Sequence, residues 1–257
     1  MQVVSWNIQN GIDAFGNNKK TAQIQYLNDL DVDVIALQEV DQHYFVQLQN
    51  ELKDYTWHLL PAISYYQGSQ PKAFGNVLAT RLPVIQWRNH SLLPASSDAF
   101  QHMPRCVGEI VVQTAKGPLR VLTTHLEFHC AEQRHSQLEQ IENIILSAKV
   151  LNQSPSQATD GLYRPLALPE DCLLCGDFNI VDTSGEYLQQ FRQRSHWHDL
   201  AKCNPQPTCG VYDLEQWPNG ADRRDYFFAL GDDLKGQVWV DTDCSLSDHQ
   251  PIILTSI

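Results

Sequence analysis

Short apolar runs, several of which close on a polar residue, constrain this chain more than any other feature of it. Gln2–Ile8, Val32–Glu39, Asn76–Thr80, Val107–Thr114, Leu119–Leu126, Leu173–Asp177, Asp225–Leu230, Gln237–Thr242 and Pro251–Thr255 read as strands, by length and by β-branched and aromatic content. Thr21–Leu30, Tyr44–Lys53, Ala131–Leu151 and Glu186–Arg192 read as helices between them. Alternation of this kind predicts an α/β fold. No repeat, low-complexity tract or break in composition marks a boundary, so residues 1–257 are expected to form a single domain.

The third helix has the cleanest period. Leu138, Ile141, Ile145 and Ala148 recur at steps of three and four and make an apolar stripe. Arg134 lies four residues before Leu138, on the same inward face, where a guanidinium needs an anionic or carbonyl partner. Cys172 and Cys175 have the spacing of a zinc or redox pair. They sit in an apolar strand, however, where residues three apart point to opposite faces, so core thiols are expected. Pro61–Lys72, Pro94–Pro104 and Asn152–Asp171 are expected to be long loops. They carry Tyr65, Tyr66, Phe100, His102, Met103 and Tyr163, which either wall a substrate site or face solvent.

Composition acts here mainly by exclusion. A net charge of −12 argues against coating duplex DNA through its phosphates and favours a small phosphorylated substrate, or a metal ion between acidic protein and acidic substrate. No run approaches the roughly 20 apolar residues that cross a bilayer, so no membrane insertion is expected. The first residues, Met1-Gln2-Val3-Val4-Ser5-Trp6, read as a strand and not as a leader. Together with 7 scattered cysteines, this predicts reduced thiols and a cytoplasmic location.

Polar residues stand where a plain strand would place something apolar. Asn7 follows Val3 and Ser5 on one strand face, and His125 follows Val121 and Thr123 on another. Glu39 ends the run Val34-Ile35-Ala36-Leu37-Gln38, and Asp177 and Asn179 close Gly176-Asp177-Phe178-Asn179. Asp225 precedes Tyr226-Phe227-Phe228, and Ser247-Asp248-His249 precedes the last strand. Strand ends drawn from distant parts of a chain are how α/β folds assemble a site. Any one of them alone is more simply a turn former or a cap.

In order, Trp6-Asn7-Ile8, Leu37-Gln38-Glu39-Val40, Thr124-His125-Leu126, Gly176-Asp177-Phe178-Asn179, Arg224-Asp225-Tyr226 and Ser247-Asp248-His249 resemble the endonuclease/exonuclease/phosphatase superfamily. The resemblance implies a four-layer sandwich of two mixed β-sheets flanked by helices, and a divalent-metal-dependent phosphoester hydrolase. It implies Mg²⁺ or Mn²⁺ on Glu39, with Asp248 or Asn7 nearby. Asp177 would orient or deprotonate the attacking water, and Asn179 and Asn7 would donate to phosphoryl oxygens or hold the nucleophile. Asp225 would hold His249 as a donor to the phosphate, and His125 would donate from the opposite wall. Two further residues are substrate-binding candidates: Arg105, which starts a strand entering the cluster and either touches a phosphate or is a surface or ion-paired arginine, and Asn76, which supports His125, reaches substrate or serves a turn.

Thr124-His125-Leu126-Glu127, Glu132, Arg134, Gln137-Leu138 and Met103-Pro104-Arg105 are similar to stretches of tyrosyl-DNA phosphodiesterases. Gly75-Asn76, His125-Leu126-Glu127 and Pro207-Thr208 are similar to uncharacterised bacterial members. The expected substrate is therefore a phosphodiester, either a nucleic-acid end or a small molecule. A phosphomonoester of a small metabolite or lipid head group is the alternative. A non-catalytic binding module of the same fold would lack one of Glu39, Asp177, Asn179, Asp248 and His249, and all are in place.

Overall fold

The computed structural model describes residues 1–96, 102–155 and 160–255. Strands β1 (Gln2–Asn7), β2 (Val34–Asp41), β3 (Thr56–Gln67), β4 (Gln70–Thr80), β11 (Gln237–Val240) and β12 (Ile252–Thr255) make one sheet in the order β11-β12-β1-β2-β4-β3. Strands β5 (Val84–Leu92), β6 (Arg105–Thr114), β7 (Gly117–His125), β8 (Cys172–Asp177), β9 (His198–Asp199) and β10 (Asp225–Leu230) make the other, ordered β5-β6-β7-β8-β10-β9. Each sheet is mixed in the same way. Its central pair is parallel, β1 with β2 and β7 with β8, and every other pair is antiparallel.

The period of two along the strands builds the layers. Val3, Ala36 and Leu78 of the first sheet pack on Ile110, Val121, Leu173 and Phe227 of the second. On the outer face of the first sheet, Val4, Trp6 and Leu37 meet Leu27 of α1 (Lys20–Leu30) and Leu48 of α2 (Gln42–Glu51). On the outer face of the second, Leu122, Leu174 and Phe228 meet Leu138 and Ile141 of α3 (Ala131–Gln153) and Phe191 of α4 (Gly185–Gln193). The result is a helix–sheet–sheet–helix sandwich, as expected.

Arg134 finds its partners: Nε and Nη2 bond both oxygens of Glu186 at 2.7 and 2.6 Å, and Nη1 donates to the carbonyls of Glu127 and Phe128. The bond ties α3 to α4. Cys172 and Cys175 are unpaired and buried, one in the outer core and one in the inner.

Three strands were not expected. Pro61–Lys72 is not a loop: it continues β3 and β4 as a hairpin turning at Gly68-Ser69, with a bulge between Pro61 and Ile63. Strand β3 is an edge with one paired side, so Pro61 is tolerated there. Strands β5 and β9 are likewise edges of the second sheet. Phe100 lies outside the described residues.

Candidate active site

Each strand that enters the inter-sheet core trades apolar residues for polar ones as it nears one end. On β1 the inward face reads Val3, Ser5, Asn7; on β7, Val121, Thr123, His125; on β8, Leu173, Cys175, Asp177; on β10, read backwards, Phe227 then Asp225. The transition is sealed by Gln38, whose Nε2 donates across the sandwich to Thr123 Oγ1 at 2.9 Å. Beyond it, Asn7, Glu39, His125, Asp177, Asn179, Asp248, His249 and Arg105 line one cleft of about 180 Å³.

Glu39 enters this cleft against the pleat. With Leu37 facing outward and Gln38 inward, residue 39 of a regular strand would face the outer layer. Instead the register of β2 against β4 slips between Leu37 and Val40, and Glu39 takes φ +60°. A bulge with a left-handed residue re-aims the side chain. Glu39 Oε1 then lies 3.1 Å from Asn7 Nδ2 and 3.9 Å from His125 Nδ1. Asn179 also has positive φ, +52°, which lets its N–H close on Asp177 Oδ1 at 2.9 Å while its amide donates to the Leu126 carbonyl. Left-handed non-glycine residues of this kind are held by their surroundings and gather at functional sites.

Asp177 is the hub. Its Oδ2 accepts from Asn7 Nδ2 at 3.1 Å and lies 3.5 Å from His125 Nε2 and 3.7 Å from His249 Nε2. Burial raises its pKa; His249 pulls it down and Asp225 pushes it up. Burial also works against a charge on His249, but Asp225, Asp177 and Asp248 outweigh it and hold the imidazolium well above its ordinary value. Across the cleft, burial and the cations Arg105 and His249 push His125 well below it, so that this ring is neutral. His249 Nδ1 is held by Asp225 Oδ2 at 2.9 Å, and the same oxygen accepts from Thr208 Oγ1 at 2.6 Å.

Arg105 is buried in the cleft with 6% exposure, and its Nε has no partner among the described residues. Burial lowers its pKa, against the pull of Asp177, Glu127 and Glu39. A guanidinium so placed is a ready partner for an anion. Asn76 stands further back. Its amide donates to the Cys106 carbonyl at 3.3 Å, and it lines a small hollow with Glu39, Arg105 and His125. As placed, Asn7 presents Nδ2 to both carboxylates while its Oδ1 accepts from the Gln9 N–H.

Several lining residues carried no signal in the sequence. Gln9, Gln216, Trp217 and Phe128 complete the cleft wall, with the Trp217 ring edge-on to His249 at 6.2 Å. Arg224 sits over both Trp217 and Phe128. Gln216 and Trp217 belong to an irregular segment where no period exists to read. Of the loop residues expected as a wall, Met103 reaches the cleft, whereas Tyr65 lines a separate groove and Tyr66 and Tyr163 are largely exposed.

The donor set fits a hard divalent cation. Glu39 has Asn7 as its one hydrogen-bond donor among the described residues, and Asp248, flanked by Glu39 and Asp177, has its pKa raised by burial and by those two carboxylates. Oxygen donors with unneutralised charge suit Mg²⁺ or Mn²⁺. Asp177, Asp225 and His249 also lie close enough to share an ion, but Asp225 Oδ2 and His249 Nδ1 already occupy each other.

The sequence profile of the Endonuclease/Exonuclease/phosphatase family matches residues 4–249. No curated protein matches the chain. Among solved structures, a mannosyl-6-phosphatase of Bacteroides thetaiotaomicron superposes with a TM-score of 0.74 at 17% identity, over 100% of this chain and 99% of that one. Sphingomyelinase C from Streptomyces griseocarneus gives 0.67 at 13% identity, covering 100% and 99%. A humanised TDP2 of D. rerio gives 0.65 at 16%, covering 99% and 97%. At these identities the likeness is one of fold.

Proposed function

We propose, from the premise that this chain belongs to the endonuclease/exonuclease/phosphatase family, that it is a divalent-metal-dependent phosphodiesterase. Membership makes it a phosphoester hydrolase; the diester preference, the metal and the residue roles are our reading. The observation that carries it is the convergence of Glu39, His125, Asp177, Asp248 and His249 on one cleft from both sheets. We treat residues 1–257 as one catalytic domain for the same reason.

Asp177, with its pKa raised by burial, is matched to taking a proton from an attacking water. The His249 imidazolium, held by Asp225, which Thr208 anchors in turn, donates to a phosphoryl oxygen as charge builds there. His125 and Asn179 bring further N–H donors, and Arg105 offers the buried cation that an anionic ester needs. Glu39 and Asp248 would hold Mg²⁺ or Mn²⁺, with Asn7 joining if its amide turns Oδ1 toward them. When bound, such an ion supplies Lewis-acid stabilisation of the phosphoryl charge. The 7 free thiols, six of them buried, fit a reducing compartment such as a bacterial cytoplasm.

A second reading, a phosphomonoesterase on a small metabolite or lipid head group, is favoured by the modest cleft and by the likeness in fold to a mannosyl-6-phosphatase. Purified protein with Mn²⁺ or chelator should be offered bis-p-nitrophenyl phosphate, nicked DNA, RNA and a panel of sugar phosphates. Metal-dependent cleavage of the diesters is expected. Phosphate release from monoesters that exceeds it selects the second reading, and no turnover of any ester by folded protein overturns both.

A further inference from the structure

We propose that the turn Gln9–Gly11, which follows β1, is a positioning element for Asn7 and Glu39, and that Asn10 is the side chain through which it acts. The inference rests on the reading of Glu39 as a ligand of a divalent ion. The turn runs against the preference of part of its sequence. Gln9, Asn10 and Gly11 follow one another with φ of +44°, +49° and +86°. Glycine and, among the other residues, asparagine visit this left-handed region readily, whereas glutamine does so at a cost in free energy. The Gln9 side chain does not offset that cost, since its Oε1 is buried without a partner among the described residues. The bonds that the turn makes to its neighbours do.

On one side, the Gln9 N–H donates to Asn7 Oδ1 at 3.1 Å, which fixes that amide so that Nδ2 faces Glu39 and Asp177. On the other side, the turn brackets Glu39. At its entry the Ile8 N–H donates to the Gln38 carbonyl at 3.2 Å. Asn10 then engages Asp41 with both ends of its amide: Oδ1 accepts from the Asp41 N–H at 3.1 Å, and Nδ2 donates to Asp41 Oδ2 at 3.0 Å. Asp41 lies just past the β2 bulge, and its Oδ1 accepts from the Tyr44 N–H at 2.7 Å as the cap of α2. The chain is thus tied down on both flanks of Glu39, at Gln38 and at Asp41, by Ile8 and Asn10. A bulged residue at φ +60° keeps its aim only where its flanks are held. Groups that hold a metal ligand from behind set the affinity of a site without touching the ion.

Asn10→Gly keeps a left-handed backbone and removes the amide. In calorimetric titration of the full-length protein with Mn²⁺, this variant should bind about tenfold more weakly than the parent. In the metal-free protein its Asp41 amide should exchange with solvent faster, as read by NMR. Asn10→Asp sets a carboxylate against Asp41 Oδ2. Added negative charge alone would tighten Mn²⁺ binding, so weaker binding by this variant reports a lost aim. Asn10→Asp/Asp41→Asn reverses the pair, keeps both of its bonds and the cap of α2, and should return the affinity to near that of the parent. A reversed pair that binds no tighter than Asn10→Asp overturns the proposal, as does Asn10→Gly with Mn²⁺ affinity and Asp41 exchange equal to the parent's. A folded parent that binds no Mn²⁺ overturns instead the reading of Glu39 as a ligand, and exchange at Asp41 then decides whether the turn holds the bulge.

Discussion

Asp177 shows most clearly how a residue suited to chemistry is unsuited to stability. It is 1% exposed among acidic neighbours, and its carboxyl pKa is raised by burial above the ordinary 3.8. A carboxyl that binds its proton more tightly when folded favours the folded state at low pH. That benefit is lost as pH rises through the folded pKa, so at neutral pH the ionised group is a burden. Asp177→Asn should therefore lower turnover by about 10²- to 10⁴-fold while raising stability by about 0.5–2 kcal/mol at pH 7. Steady-state kinetics and urea denaturation check the two halves; a variant that is inactive and also less stable would contradict the account. His249 has the opposite sign. Its pKa is raised above 6.5 by Asp225, Asp177 and Asp248 against the effect of burial, so its stabilising contribution is complete below pH 6.5 and is lost as pH rises through the folded value. Asp225→Asn keeps an oxygen that can accept from His249 Nδ1 but removes the negative charge that holds the imidazolium. It should destabilise by about 3 kcal/mol near pH 6 and by less in alkali, which denaturation at two pH values measures. Asn7 and His125 were legible in the sequence because each continues an inward-facing period, Val3-Ser5-Asn7 and Val121-Thr123-His125, whereas Asp177, Asp225 and His249 stood out only as polar residues beside apolar runs. Trp217 was not legible, and Thr208 stood out only through the Pro207-Thr208 resemblance, since both sit in irregular chain and matter through what folding sets beside them, His249 and Asp225.

At the scale of elements, the buried strands and all four helices fell close to their predicted spans, because burial on both faces or one stripe leaves a strong apolar period. Edge strands β3, β5 and β9 did not. Trp87, Arg88, Asn89 and His90 on β5 show no clean alternation, and the hairpin of β3 and β4 carries Tyr, Gln, Ser and Pro past its bulge. Their pairing comes from a neighbour's unmet N–H and C=O groups, which a local pattern does not record. Nor does it record the β2 bulge that turns Glu39 into the cleft; that emerges only when β2 pairs with β4. The tightest element contact lies beside it. Gly176, at φ +135°, pairs with Thr124 across β7 and β8, and a Cβ there would lie 1.9 Å from the Thr124 carbonyl oxygen. Backbone has to move to admit it. Gly176→Ala should lose about 3 kcal/mol or more in chemical denaturation, and it should displace both His125 and Asp177, which pair one residue further on. A loss under about 1 kcal/mol would mean the strands separate more easily than this packing implies.

At the scale of the molecule, the cleft belongs to neither sheet. Asn7 and Glu39 come from the parallel pair of one, His125 and Asp177 from the parallel pair of the other, and Asp248-His249 from the approach to β12. Anything that binds across this seam holds the two sheets together and must favour the folded state by mass action. The seam is also where a chain of net charge −12 concentrates Glu39, Asp177 and Asp248, so a divalent cation relieves repulsion there as it binds. Mn²⁺ at 100 times its dissociation constant should add about 2.7 kcal/mol, a rise in melting temperature of about 5–10 °C for a domain of this size. Glu39→Gln keeps the shape of the bulged side chain but takes away its charge, so it should lose most of that rise. Differential scanning calorimetry with and without Mn²⁺ makes the comparison. An equal rise in both proteins would move the ion away from Glu39, toward the Asp177, Asp225 and His249 cluster, and with it the roles assigned to the opposite walls of the cleft.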